Sequence, residues 1–160
     1  PARSLAPRAA VAGLLPLQPG FGGLVRRVPL LLPAPAAIMP SRSFEVLRGA
    51  TRTPAIIIRS EKAGIKSVAV RGLKIPTARN GQLWVHFARH DPSIFVSAAD
   101  VLDGSVAREK IANKLVMIGT SAVGLYDMKN TPVDPAVRGV EVHVQVLESA
   151  LPSGLLSPPV

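Results

Sequence analysis

Three groups of side chains in this chain have types and spacing that chemistry could use. The first is Gly119-Thr120-Ser121-Ala122-Val123-Gly124, two glycines five apart behind an apolar run, the outline of a loop that cradles phosphate with backbone N–H groups. Such a loop needs Lys and then Ser or Thr after its last glycine; Leu125 and Tyr126 stand there instead. A nucleophile elbow needs one residue and then Gly after its serine, but Ser121 is followed by Ala122 and Val123. The stretch therefore reads as a tight exit turn with Gly119 and Gly124 as structural residues. Thr120 and Ser121 could still offer hydroxyls to a ligand, because crevices form at strand ends in open α/β sheets.

The second group is Asp127, Thr131, Asp134, Glu141 and His143 around one long loop. Ser121 with His143 and Asp127 or Asp134 would make a small serine hydrolase or transferase, the alternative that these residue types allow. Against it, Thr131-Pro132 and Asp134-Pro135 are turn signals, so the acids and Pro132 have turns to fix and Gly139 has a turn to make. The third group is His86, His90 and Asp91. Four-residue spacing aligns two histidines only on a helix, and these lie in a predicted strand and the turn after it, so no metal is expected. No cofactor is expected either.

Composition narrows the classes. At 160 residues one domain is the natural count, and a chain of this length hides about 70% of its unfolded surface. Apolar residues make up 48% and aromatics only 4%, so Val, Leu, Ile and Ala must build the core, which favours mixed α/β packing. Nineteen basic against ten acidic residues give a formal charge of +9. Arg26-Arg27 is the only adjacent basic pair, and no basic stripe interleaves with aromatics, so nucleic acid is not an expected partner. The chain has no cysteine, which excludes disulfides, thiolate metal sites and cysteine nucleophiles. Residues 1–40 hold eight prolines, four arginines and no acid, and the most apolar run, 28–39, contains three prolines. No uninterrupted run reaches the roughly 18 apolar residues of a membrane span.

The elements that would position these groups can be read in order. A strand is expected over 10–15 and an extended segment over 25–32, with Pro29 at a sheet edge. Ser41 or Ser43 caps a short helix through Phe44 and Leu47 that Gly49 ends. Ile65, Val68 and Val70 mark a strand. Asn80-Gly81 is a hairpin-type turn, after which Leu83, Val85 and Phe87 alternate with Trp84, His86 and Ala88, so 65–88 read as a hairpin-like unit. Ser97 starts a short helix stopped at Gly104, and a helical turn covers 107–113. Leu115, Val116, Met117 and Ile118 form a continuous apolar run, as in a strand buried on both faces. Residues 140–146 alternate like a strand, yet Val140, Val144, Leu147 and Leu151 share a helical face. In the helical reading His143 leans toward the apolar stripe, while Glu141, Gln145 and Glu148 face water.

In this order, LVRRVPLL (24–31), LWVHFARHDP (83–92), FVSAADVLDG (95–104), NKLVMIGTSAVGLYD (113–127) and TPVDPAVRGVEVHVQVLESAL (131–151) resemble the C-terminal half of the type-two CHASE domain, the cyclase/histidine-kinase-associated sensory extracellular domain. The resemblance covers about 20–156, leaving 1–19 unassigned and 157–160 as the start of a linker towards membrane helices. It implies a mixed α/β fold, a central sheet with flanking helices, shortened at its N-terminal side. It also implies a helix over 140–151 and a core strand over 115–118.

The resemblance further implies a non-enzymatic signal-input domain on the periplasmic side of an inner-membrane protein. Its partners would be an extracytoplasmic signal of unidentified chemistry, downstream transmembrane helices and a cytoplasmic output domain. That output would be an adenylate or guanylate cyclase, or a kinase of two-component type; a homodimer is compatible. Candidate ligand contacts are Arg26, Arg27, Thr120, Ser121, Asp127, Thr131, Glu141 and His143. Two departures stand out: Gly20-Phe21-Gly22-Gly23 replaces a frequent Asp-x-Asp-Gly turn, and Arg138 replaces a frequent Pro before Gly139.

Overall fold

The computed structural model describes residues 17, 19–35, 37–120 and 127–151; the strand expected over 10–15, Ser121 and Gly124 lie outside them. The described elements begin with a 3₁₀ turn at Phe21–Gly23, then β1 (Arg27–Pro29), β2 (Leu31–Ala34), β3 (Ala37–Pro40) and α1 (Arg42–Ala50). A meander of β4 (Ile57–Glu61), β5 (Gly64–Val70) and β6 (Leu73–Pro76) follows, then β7 (Gln82–Trp84) and the short α2 (Ala98–Leu102). The last described elements are β8 (Met128–Lys129), β9 (Val137–Arg138) and α3 (Gly139–Ala150). The class is mixed α/β. Among the described residues the strands form four small antiparallel sheets, β1-β7, β2-β3, β4-β5-β6 and β8-β9, in place of the single central sheet expected.

Local chemistry explains the best-formed pieces. Ser41 sits at the N-cap of α1 with its side chain accepting from the Phe44 N–H, which satisfies one of the free donors of the first turn. Ser43, Phe44 and Leu47 make one buried face, and Glu45 clasps Arg48 through two bonds of 2.9 Å each. The helix runs one residue past Gly49 to Ala50, and Thr51 closes it with its hydroxyl on the Leu47 and Arg48 carbonyls. Between β5 and β6, Arg71 and Gly72 both take positive φ (47° and 80°), the torsions of a two-residue turn that matches strand twist. The core gathers Val25, Val28 and Leu30 from β1 and its flanks, Phe44 and Leu47 from α1, Val68, Val70 and Ile75 from the meander, Leu83 from β7, and Val142 and Val146 from α3.

Two expectations fail for the same reason. Residues 65–88 are not one hairpin unit: β5 pairs with β6, whereas β7 crosses to β1 in the register Val28↔Leu83. Asn80-Gly81 does turn the chain, with Gly81 at φ 77°, and its carbonyl is hooked by the Leu30 N–H at 3.0 Å. Turn chemistry specifies a reversal but not the partner of the strand that leaves it. Likewise 115–118 is no core strand. Leu115, Val116 and Ile118 are 43%, 57% and 92% exposed, and no strand pairs with them among the described residues. β-propensity is at bottom fit to a packed pleated surface, and an apolar run without a pairing neighbour does not express it.

Candidate functional site

The residue types singled out above converge on one element, α3. Its N-cap residue, Arg138, makes no capping bond through its side chain, but the first turn carries Glu141, and the Asp127 carboxylate lies where a Cβ on Gly139 would fall. The Gly139 N–H donates to the Asp127 carbonyl at 2.7 Å. Two carboxylates at a helix N-terminus are favoured by the aligned peptide dipoles. Gly139 is thus the first residue of the helix and a point of close approach, not a turn. Asp127 also pairs with Lys129 Nζ at 3.4 Å.

Along α3, Glu141, Gln145 and Ser149 stand one turn apart, and each holds the segment that leaves β7. The His90 ring places Nδ1 2.9 and 3.0 Å from the two carboxylate oxygens of Glu141. Gln145 Nε2 donates to the Ala88 carbonyl at 3.1 Å, and the His86 N–H donates to Ser149 Oγ at 3.0 Å. The helix positions rise as the strap positions fall, so the two run antiparallel. Four helical residues advance about 6.0 Å and two extended residues about 6.6 Å, which is why three rungs can form in register. The alternation seen after Asn80-Gly81 survives as burial: Leu83 and Val85 are buried, whereas Trp84, His86 and Ala88 are exposed. The expectation that Glu141 and Gln145 face water is corrected. They are 2% and 4% exposed because the strap covers them.

The opposite side of α3 meets α1. Ser43 Oγ lies 2.8 Å from His143 Nδ1 and donates to the His143 carbonyl at 3.4 Å, with both side chains buried. Burial pushes the His143 imidazole below its ordinary value of 6.5; the Asp127 charge opposes this and Arg42 reinforces it. With the folded-state value depressed, the unfolded chain takes up a proton first as pH falls. The stability that neutral His143 contributes is present above about 6.5 and is lost on acidification below it. Replacing His143 by Gln is expected to flatten the fall in unfolding free energy between about pH 7.5 and about pH 5. Urea titrations of both proteins at several pH values measure it, and parallel curves would refute it.

The remaining residues divide. Thr131 is buried and spends its hydroxyl on the turn around Pro132: Oγ1 donates to the Asp134 carbonyl at 2.8 Å and accepts from the Asp134 N–H at 3.1 Å. The Asp134 carboxylate accepts the His90 N–H at 2.7 Å, fixing the strap to the loop before α3. Thr120 is exposed, and Gly119 ahead of it packs against Val140 in the first turn of α3. Arg26 and Arg27 are elsewhere: the Arg27 guanidinium lies 4.6 Å over the Trp84 ring, beside a cleft of about 180 Å³ that Leu32, Asn80 and Gln82 also line. The structure joins Asp127, Thr131, Glu141 and His143 around α3 and keeps the arginines apart.

His143, the base of the hydrolase reading, is 4% exposed with Nδ1 against Ser43, and its Ser121 partner lies outside the described residues. His90, Gln145, Ser149 and Ser43 were missed. The alternation through 83–88 held the signal for the strap, but only α3 shows what the strap binds. Among the described residues, no group of three or more His, Asp or Glu side chains could hold a metal ion, and no helix is long and apolar enough to cross a membrane. Comparison with curated proteins and with solved structures gives no match. A family model described as the CHASE2 domain matches residues 2–160, and the chain belongs to that family, the extracellular sensory domains of signalling receptors.

Proposed function

We propose that this chain is the signal-input domain of a bacterial transmembrane receptor and that α3 is its output element. The strap tied to α3 at Glu141, Gln145 and Ser149 carries the reading. It makes the position of the last helix depend on β1 and β7, where Arg27, Trp84 and the adjoining cleft offer a contact for an anionic signal. A ligand that binds one arrangement of strap and helix better than the other shifts the population between them, and the size of the shift is set by that difference in affinity. Arg26, Thr120 and Ser121 are further proposed contacts. Downstream of α3 the proposal places membrane helices and a cytoplasmic adenylate or guanylate cyclase, or a kinase, with the domain itself in the periplasm.

Two measurements test this. The coding sequence beyond Val160 is expected to hold two or three apolar spans and then a cyclase or kinase domain; an immediate stop codon would refute it. In that receptor, Gln145→Ala with Ser149→Ala removes two rungs and is expected to change basal output about 5-fold or more, in the range of ordinary coupling energies. Unchanged output would remove α3 from the signalling route.

A further inference from the structure

We propose that the rung between His90 and Glu141 is a proton-operated clasp, closed when the imidazole is charged and loosened when it is neutral, so that the strap's hold on α3 follows external pH. The proposal rests on the sensory reading only for its consequence, not for the clasp. The Glu141 side chain is 1% exposed and the His90 side chain 40%. A buried carboxylate must be paired and hydrogen-bonded, and the ring of His90 meets both of its oxygens. Histidine is the side chain whose charge ordinarily changes between about pH 5 and 8. Of the three rungs only this one contains such a group, since the others run through a carboxamide and a hydroxyl.

The surroundings of the clasp come from three segments. On the strap, Asp91 follows His90, its carboxyl held below the usual range by its bonds to Ser93 and ionised throughout the interval. From the loop before α3, the Asp134 carboxylate accepts the His90 backbone N–H. At the start of α3, the Arg138 guanidinium lies 5.3 Å over the Phe95 ring, which packs against the His90 ring at 5.1 Å. The imidazolium thus meets Glu141 in an ion pair with charged groups of both signs farther out. Neutralising it takes away the opposite charge beside a buried carboxylate and leaves at most an uncharged Nδ1–H donor, so the closed form is the acid one. The middle rung gives limited support once the first opens, because the buried Gln145 Oε1 has no hydrogen-bond partner among the described residues.

The test is amide hydrogen exchange on the 160-residue chain at about pH 5.5 and about pH 8, expressed as protection factors to remove the intrinsic pH dependence. Protection of the His86 and His90 amides is expected to fall about 5-fold or more on going to the higher pH. Glu141→Gln keeps the shape and removes the charge, and should abolish this fall toward high pH, leaving only the opposite trend that His143 sets. His90→Gln, at the more exposed partner, should do the same if the Glu141 variant fails to fold. Equal protection of the wild type at both pH values would overturn the clasp, as would a fall in protection toward high pH that survives either substitution. A pH-dependent exchange with receptor output indifferent to pH would uphold the clasp and sink its sensory use.

Discussion

Replacing Gly64 by Ala is expected to lower the unfolding free energy by about 3–4 kcal/mol, whereas Gly72→Ala should cost about 1 kcal/mol. Both glycines have positive φ, 126° and 80°, but they differ in two respects. The torsion at Gly64 lies in a region that residues with a side chain scarcely enter, while that at Gly72 is the left-handed conformation of a hairpin turn. An added Cβ at Gly64 would also fall on the carbonyl oxygen of Arg79, with the Arg79 Cβ only 3.1 Å away. That carbonyl cannot simply retreat, because it accepts the Ile65 N–H at 2.9 Å and so ties the start of β5 to the turn before β7. At Gly72 nothing lies within 4 Å of the added atom. Urea unfolding with comparable m-values compares the two. Equal losses would mean that torsion alone governs both sites and that the approach of Arg79 is of no consequence.

Phe44→Ala is expected to cost about 3–5 kcal/mol, and Phe44→Leu less than about 1.5 kcal/mol. Phe44 is 1% exposed and is one of the largest fully buried side chains, set on the face of α1 that turns inward with Ser43 and Leu47. Truncation removes the aromatic ring from water-free contact and leaves a cavity that helix backbones fill poorly; leucine restores most of the volume. Because the same helix presents Ser43 to His143, the loss should extend to α3. Exchange of the α3 amides is expected to speed in Phe44→Ala in step with global stability. Fast exchange in α1 alone, with α3 unaffected, would show the two helices to be independent units.

Much of the local structure could be read from the residues in sequence. The cap at Ser41, the turn at Asn80-Gly81, the short helix from 98, the helical turn near 108 and the alternation after Gly81 all depend on neighbours within a few residues. The last helix was harder, because Val140, Val142, Val144 and Val146 alternate as a strand would. The family resemblance favoured a helix, and α3 is one. Tertiary packing overrides a local preference worth only about 1 kcal/mol. Of the candidate site, Asp127, Glu141 and His143 were legible as a group near the last helix. Their partners Lys129, His90 and Ser43 were not.

The run 115–118 marks the limit of such reading. Four apolar residues in a row state a tendency to be buried, but burial needs a neighbour whose backbone completes the ladder, and none of the described strands supplies it. The polar positions 141 and 145 carry the opposite lesson. Taken alone they describe a wet helix face; in the fold they are the inner side of a strap. The sequence by itself determined the turns, the caps, the charge, the absence of cysteine and membership of a sensory family, since these follow from residue types over short distances. Only the tertiary structure decided that β7 pairs with β1 and that His90 meets Glu141 51 residues away, because contacts between distant segments depend on which surfaces remain to be covered once each local element has formed.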